Sequence, residues 1–236
     1  MSILAPDEAE ALETHATFGS GGAEPYATAL RKNDSVLLEL RDQRHGKTSQ
    51  STMDVSRWNA DADETDLTLL RAATGPLLDI GCGPGRMVRA AMDLGLEVLG
   101  IDVSPTAIEI ATNAGLSVLT RSVFEAIPSE GEWQTALLVD GNIGIGGDVR
   151  AMLARCREIL APEGEIVIET HTDARRHRSY FGTLTDTDGG QSESFPWAEI
   201  GITPLIGLAD AEGLELLQAW TLDGRNFCRL AKTASV

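Results

Sequence analysis

Leu77-Leu78-Asp79-Ile80-Gly81-Cys82-Gly83-Pro84-Gly85-Arg86-Met87 is the stretch on which the reading of this chain turns. It reads as a short buried strand from Leu77 to Ile80, a glycine-rich turn, and the start of a helix. The apolar positions Met87, Val88, Ala90, Ala91 and Leu94 then fall on one helical face. Glycine at 81, 83 and 85 removes side chains where a ligand approaches backbone. The N–H groups of the turn and of the first helical turn are expected to point at whatever binds there. A nucleotide-like ligand over the end of a first strand is the starting expectation.

Charge and spacing narrow the ligand. A dinucleotide loop wants glycine at its first, third and sixth positions. Counted from Gly81, the sixth position is Arg86. Asp79 stands two residues before Gly81, where a carboxylate repels a pyrophosphate but suits an ammonium or sulfonium centre. Asp79-Ile80-Gly81-Cys82-Gly83-Pro84-Gly85 resembles the first motif of the class I S-adenosylmethionine-dependent methyltransferases. The resemblance implies a Rossmann-like α/β fold and S-adenosyl-L-methionine as the methyl donor. It places Asp79, Gly81, Cys82 and Gly83 against that donor.

Composition sets bounds. The 236 residues suit one domain with an appendage. With 19 Lys and Arg against 36 Asp and Glu, the formal net charge is −17. Such a chain repels phosphate backbones and anionic membrane surfaces, so neither nucleic acid nor membrane is expected as a partner. Cys82, Cys156 and Cys228 are isolated and form no metal-ligand pair, which fits a reducing compartment. Met1 to Glu10 lacks a basic-then-apolar leader, and a cytoplasmic location is expected.

Residues 1–72 read as a lid segment. Leu4 to Thr17 is expected as a short helix, Gly19-Ser20-Gly21-Gly22 as a break, and a second helix follows Pro25. Val36 to Leu40 and Thr48 to Val55 flank Arg44-His45-Gly46-Lys47 as a β-hairpin, and Asp61 to Ala72 reads as a helix. From 73 to 236 strands and helices alternate, which argues a doubly wound, mostly parallel sheet. Its strands are expected at Leu77–Ile80, Glu97–Asp102, Leu116–Arg121, Thr135–Asp140 and Glu165–Glu169. Ser104-Pro105 opens one helix, and Val149, Met152, Leu153, Cys156, Ile159 and Leu160 mark another. Pro162-Glu163-Gly164 reads as a turn. The polar stretch around 172–195 reads as a loop insertion, and Trp197 to Glu212 as a helix interrupted near Pro204. Glu215–Thr221 and Asn226–Ala231 close the chain as a hairpin. In the resembled family the last strand is antiparallel.

Several residues are candidates for the site. Asp102 ends the second strand, 21 residues beyond Gly81, the distance at which an acid meets ribose hydroxyls. Val103 then lines the adenine. Where the family often carries an acid for the adenine amino group, this chain has Ser122, followed by Val123 and Phe124. Ser122 accepts a hydrogen bond without charge, the Val123 N–H remains for the ring, and Phe124 packs on adenine or in the core. Asp140 or Asn142, at the fourth strand's end, contacts the methionine part or the acceptor, or serves turn chemistry. Arg86 pairs with the donor's carboxylate or faces solvent. His171, one residue past the fifth strand, is the candidate general base. Arg175, Arg176, His177 and Arg178 recognise an anion or balance nearby acids. Tyr26, Arg57 and Trp58 close over ligand or fill core.

The reading is a methyltransferase acting on a small-molecule acceptor, with no metal, and with a homodimer left open. A sulfonium methyl is already activated, so positioning is most of the task and no catalytic dyad is required. The alternatives are a binding module that holds the donor or S-adenosylhomocysteine without chemistry, and an NAD(P)-dependent oxidoreductase. The missing glycine at position 86 and the acid at Asp79 count against the latter.

Overall fold

A computed structural model describes residues 17–18, 24–33, 35–42 and 47–233. Apart from Thr17, the expected first helix and the glycine break after it lie outside these residues, as does most of the turn at 44–47. The first described elements are α1 (Glu24–Lys32), the antiparallel hairpin β1 (Ser35–Asp42) and β2 (Lys47–Asp54), the short α2 (Ser56–Asn59) and α3 (Glu64–Arg71).

The main sheet follows. Its parallel strands are β3 (Leu77–Ile80), β4 (Val98–Asp102), β5 (Val118–Thr120), β6 (Trp133–Leu138) and β7 (Leu160–Thr170). The helices between them are α4 (Arg86–Asp93), α5 (Pro105–Asn113) and α6 (Val149–Ile159). A second sheet is completed by β8 (His177–Thr185) and β9 (Phe195–Ile200). Then come α7 (Ile202–Ala211), β10 (Leu214–Leu222) and β11 (Arg225–Lys232). The seven-stranded order is β10-β11-β7-β6-β3-β4-β5, with β11 antiparallel to both of its neighbours. This is the Rossmann-like α/β class expected from the alternation.

Local chemistry sets the element ends. The Ser104 hydroxyl accepts from the Ala107 N–H at 3.3 Å and Pro105 follows it, so α5 begins where its first N–H groups are capped or absent. The carboxylate of Asp63 caps α3 and that of Asp66 returns the bond. Asp223-Gly224, both at positive φ, turn the final hairpin. Among the described residues no helix is long and apolar enough to cross a membrane.

The sheet is covered on both faces. Met152, Leu153, Cys156 and Ile159 of α6 pack against Leu78, Ile80 and Ile168 on one side. Met87, Val88 and Ala91 of α4 pack with Leu77, Leu137 and Val167 on the other. Leu69 and Leu70 of α3 join that second layer, so this helix from the expected lid is a wall of the core.

Three expectations need correction. The 172–195 stretch is not a loop insertion: β8 and β9 lie there or begin there. They form the four-stranded sheet β2-β1-β8-β9 with the N-terminal hairpin. Only alternate residues of β8, Tyr180, Gly182 and Leu184, are buried, so the segment reads as polar when its apolar face has no visible partner. Trp197 belongs to β9, not to a helix. Pro204 sits in the first turn of α7, where no backbone donor is lost, and does not interrupt it. Pro162 to Gly164 do not end a strand but lie inside β7. There the pairing slips from Trp133↔Leu160 to Thr135↔Glu165 as a bulge.

Candidate functional site

The glycine loop sits between β3 and α4 with Gly81, Gly83 and Gly85 at φ +74°, +55° and +93°. These left-handed values suit glycine alone without strain. The loop's amides are spent within the chain, contrary to the expectation that they face a ligand. Gly81 N and Cys82 N both donate to Ile101 O, at 2.8 and 3.0 Å, and Gly85 N donates to Cys82 O at 3.0 Å. Gly83 N donates to Asp102 Oδ2 at 2.9 Å. Pro84 has no N–H. Asn142 Nδ2 closes the loop from the other side, donating to Ile80 O at 2.8 Å and Gly81 O at 3.0 Å. A loop bonded this way is a poor phosphate cradle and a good rigid floor.

Two acids flank that floor. Asp79 is 1% exposed, lines the cleft, and its Oδ2 has no hydrogen-bond partner. Burial, then the charges of Asp140 and Asp102, push its pKa up to about 8. A buried carboxyl with an unpaired oxygen beside a cleft is suited to a positively charged group. Asp102 is held at both oxygens by backbone, Oδ2 by Gly83 N and Oδ1 by Ser104 N at 2.8 Å. Burial raises its pKa, against the N–H groups of Ser104, Gly83 and Val103. Each oxygen keeps a lone pair for a hydroxyl donor.

The third acid is tied down. Asp140, at φ +55°, accepts from Arg86, which is itself buried and paired with Asp66 of α3. Asp66 also receives Arg225 at 2.8 Å, and Arg225 chelates Glu169. Asp140 N donates to Glu169 Oε2 at 2.7 Å, which closes the ring of charges. The expected pairing of Arg86 with a ligand carboxylate is therefore replaced. Its guanidinium lines the cleft but is taken by two carboxylates of the chain.

Ser122, Val123 and Phe124 line the far end of the cleft with Val103 and Arg121. Arg155 of α6 braces this segment, donating to Val123 O and Glu125 O at 2.8 Å each. The Ser122 hydroxyl accepts from Phe124 N at 3.3 Å. Phe18, Tyr26, Trp58 and Trp197 also line the cleft, the Tyr26 hydroxyl beside Gly83. Burial, then Asp102, Cys82 and Asp140, hold the Tyr26 phenol well above its usual pKa, so it stays protonated. The whole cleft, including its open mouth, encloses about 970 Å³.

His171 is not among the residues lining the cleft. Its backbone N–H donates to Ile200 O, which anchors the end of β7 to β9, and its Nδ1 accepts from Asp173 N in the following turn. Of the basic cluster, Arg176 pairs with Glu199 at 2.5 Å and Arg178 lies over the Tyr180 ring; neither lines the cleft. Arg57 reaches toward Asp63 and Asp140, at 3.5 and 3.8 Å. Sequence reasoning missed Phe18, Arg121, Ile145 and Trp197. Trp197 enters through a bridge between Ile145 and itself, a pairing with no signal in the local sequence.

Comparison with known proteins follows the same core. Residues 77–164 match the family described as methyltransferase domain. A ubiquinone biosynthesis O-methyltransferase of Cereibacter sphaeroides is 35% identical over 99 residues. That match spans 40% of this chain and 40% of the relative. Among solved structures, a SAM-dependent methyltransferase from Bacteroides fragilis, in complex with S-adenosyl-L-homocysteine, superposes with a TM-score of 0.74 at 19% identity. It covers 92% of this chain and 99% of its own. The 1,6-didemethyltoxoflavin-N1-methyltransferase of Burkholderia thailandensis gives a TM-score of 0.56 at 19% identity, covering 75% and 81%. At such identities the two structures speak for the fold.

Proposed function

We propose that this chain, whose residues 77–164 match a methyltransferase domain, is a class I S-adenosylmethionine-dependent methyltransferase and moves a methyl group from S-adenosyl-L-methionine to a small-molecule nucleophile. The observation that carries this reading is Asp79. It is a buried acid with an unpaired oxygen, beside a glycine loop whose amides are already bonded. That combination fits a cationic adenosine compound and disfavours a pyrophosphate.

Asp102 would take the ribose hydroxyls, and Val103, Ser122, Val123 and Phe124 the adenine. Gly81, Cys82 and Gly83 supply the floor under the ribose. Asp79 would face the ammonium or sulfonium. Asp140, fixed by Arg86, would stand between the methionine part and the acceptor. The donor would supply an electrophilic methyl: the acceptor's nucleophilic atom forms its bond to that carbon as the carbon–sulfur bond breaks, the electron pair stays on sulfur to give neutral S-adenosylhomocysteine, and any acceptor proton passes to water. What the chain adds is placement: a rigid floor, a braced adenine wall and an aromatic cover that excludes water. Holding two reactants in line this way is worth about 7–11 kcal/mol in well-oriented systems. Tyr26 stays protonated and Asp140 is ion-paired, so both serve as positioning groups in this reading and neither as a strong base.

Calorimetry with S-adenosylhomocysteine, S-adenosylmethionine, NADH and NADPH tests the ligand class. Saturable binding of the first two alone is expected; binding of NADH or NADPH in their place would overturn the reading. Incubation with methyl-labelled donor and a metabolite extract tests the transfer.

A further inference from the structure

The acceptor half of the cleft has a chemistry of its own. The donor half, in the reading above, is the glycine floor with Asp79, Asp102 and the Ser122–Phe124 wall. The remaining lining includes four rings, Phe18, Tyr26, Trp58 and Trp197, with the Tyr26 hydroxyl beside Gly83 of the floor. Phe18 lies against Tyr26 at 5.0 Å between centroids and against Trp197 at 5.5 Å, with planes tilted by 54° and 50°. Tyr26 meets Trp58 at 5.7 Å and 72°. Phe18 also meets Phe195 and Trp58 edge-on, at 5.2 and 6.3 Å, and Tyr26 is buried among them, so what these rings leave to the cleft is mainly the partly buried Trp58 and Trp197, where an incoming ring gains offset or edge-to-face contact.

Charge points the same way. The acids lining the cleft are Asp79, Asp102 and Asp140. The cations lining it are Arg86, held between Asp66 and Asp140, and Arg121, at the end with Ser122. Asp79 and Asp102 belong to the donor half and Arg121 to its Ser122 end, so a carboxylate or phosphate on the acceptor would lose water and meet Asp140, whose partner Arg86 is already taken. We infer that the acceptor is a planar, uncharged ring compound, seated against Trp58 and Trp197, and that organic anions are rejected there. The inference rests on the cleft holding the methyl donor, and the test keeps the two apart.

The experiment titrates the full chain, saturated with S-adenosylhomocysteine, with three probes of one carbon skeleton: naphthol, naphthoate and decalol. Naphthol is uncharged and flat, naphthoate flat and anionic, decalol uncharged and puckered. By calorimetry naphthol should bind at least about tenfold tighter than either of the others, since naphthoate carries a desolvation cost and decalol lacks ring contact. Trp197→Leu should weaken naphthol more than it weakens S-adenosylhomocysteine. Naphthoate or decalol binding as tightly as naphthol overturns the inference, and so does saturable S-adenosylhomocysteine binding with no naphthol binding. Absence of S-adenosylhomocysteine binding removes the donor reading, and the inference with it.

Discussion

Glu169 of β7 grips Arg225 of β11 with two parallel hydrogen bonds, Nε to Oε1 at 2.9 Å and Nη2 to Oε2 at 2.8 Å. The pair joins the parallel sheet to its antiparallel strand. It extends to Asp66 of α3 and through Arg86 to Asp140 at the cleft, so a helix far away in sequence is tied to the wall of the site.

Removing one partner of this pair leaves a largely buried charge. Glu169→Gln is expected to destabilise the fold by about 1.5–3 kcal/mol, since charged hydrogen bonds are lost while Asp66 still holds the guanidinium. Urea unfolding measures it. A loss below about 1 kcal/mol would mark the network as solvent-screened.

The same pair sets an acid limit. Burial pushes the Glu169 carboxyl up, but the hydrogen bonds and charge of Arg225, with Asp140 N, bring it below the usual carboxylate range. A group depressed in the native state contributes stability above its unfolded pKa of roughly 4.3, and that contribution is lost as pH falls through the native value. Unfolding midpoints followed from pH 6 down to about 3 should show a decline that Glu169→Gln flattens.

Donor binding should depend on Asp79. With its pKa at about 8, the carboxyl is mostly protonated at neutral pH in the empty cleft. A cationic ligand favours the ionised form. Affinity for S-adenosylmethionine is therefore expected to rise with pH, by up to about tenfold per unit, and to level above 8. Calorimetry at several pH values, with Asp79→Asn as the flat control, decides this. A pH-independent affinity in the unaltered chain would speak against a charge role for Asp79.

Asp102→Ala should weaken S-adenosylhomocysteine by roughly 1.5–3 kcal/mol if charged hydrogen bonds to hydroxyls are lost. It also frees Gly83 N, so Asp102→Asn, which keeps an oxygen for that amide, separates the two effects. An unchanged dissociation constant for both variants would remove the ribose assignment.

Gly81→Ala places a Cβ 2.7 Å from Asn142 Nδ2 at a left-handed φ of +74°. The backbone cost is about 1–2 kcal/mol, before the loss of Asn142's bonds to Ile80 O and Gly81 O. A matching drop in thermal midpoint, together with weaker donor binding, is expected.

His171→Ala tests the placement of that ring off the cleft. Donor affinity and turnover should stay within about twofold, as for surface positions in general. A large fall in turnover with intact binding would restore it as the base.

Much of the core is written locally. Leu77 to Ile80, the three glycines, Ser104-Pro105 and Asp223-Gly224 each act within a few residues through sterics or a single hydrogen bond, so their outcome is readable without the rest of the chain. The site is legible to the same depth. Asp79 and Asp102 follow from strand ends, charge and spacing, the Ser122–Phe124 segment from the family resemblance, and all line one cleft.

What the tertiary structure decided is which distant groups meet. Sequence alone determined an α/β core with a glycine floor and an acid at each of two strand ends, because those follow from short-range backbone geometry. Whether Arg86 faces a ligand or Asp66, whether His171 reaches the cleft, and which tryptophan closes it depend on the packing of α3 on the core. They depend equally on the pairing of β8 with β1 and of Ile145 with Trp197. Those are contacts between segments far apart in sequence, selected by register and by the burial of alternate side chains across a whole sheet.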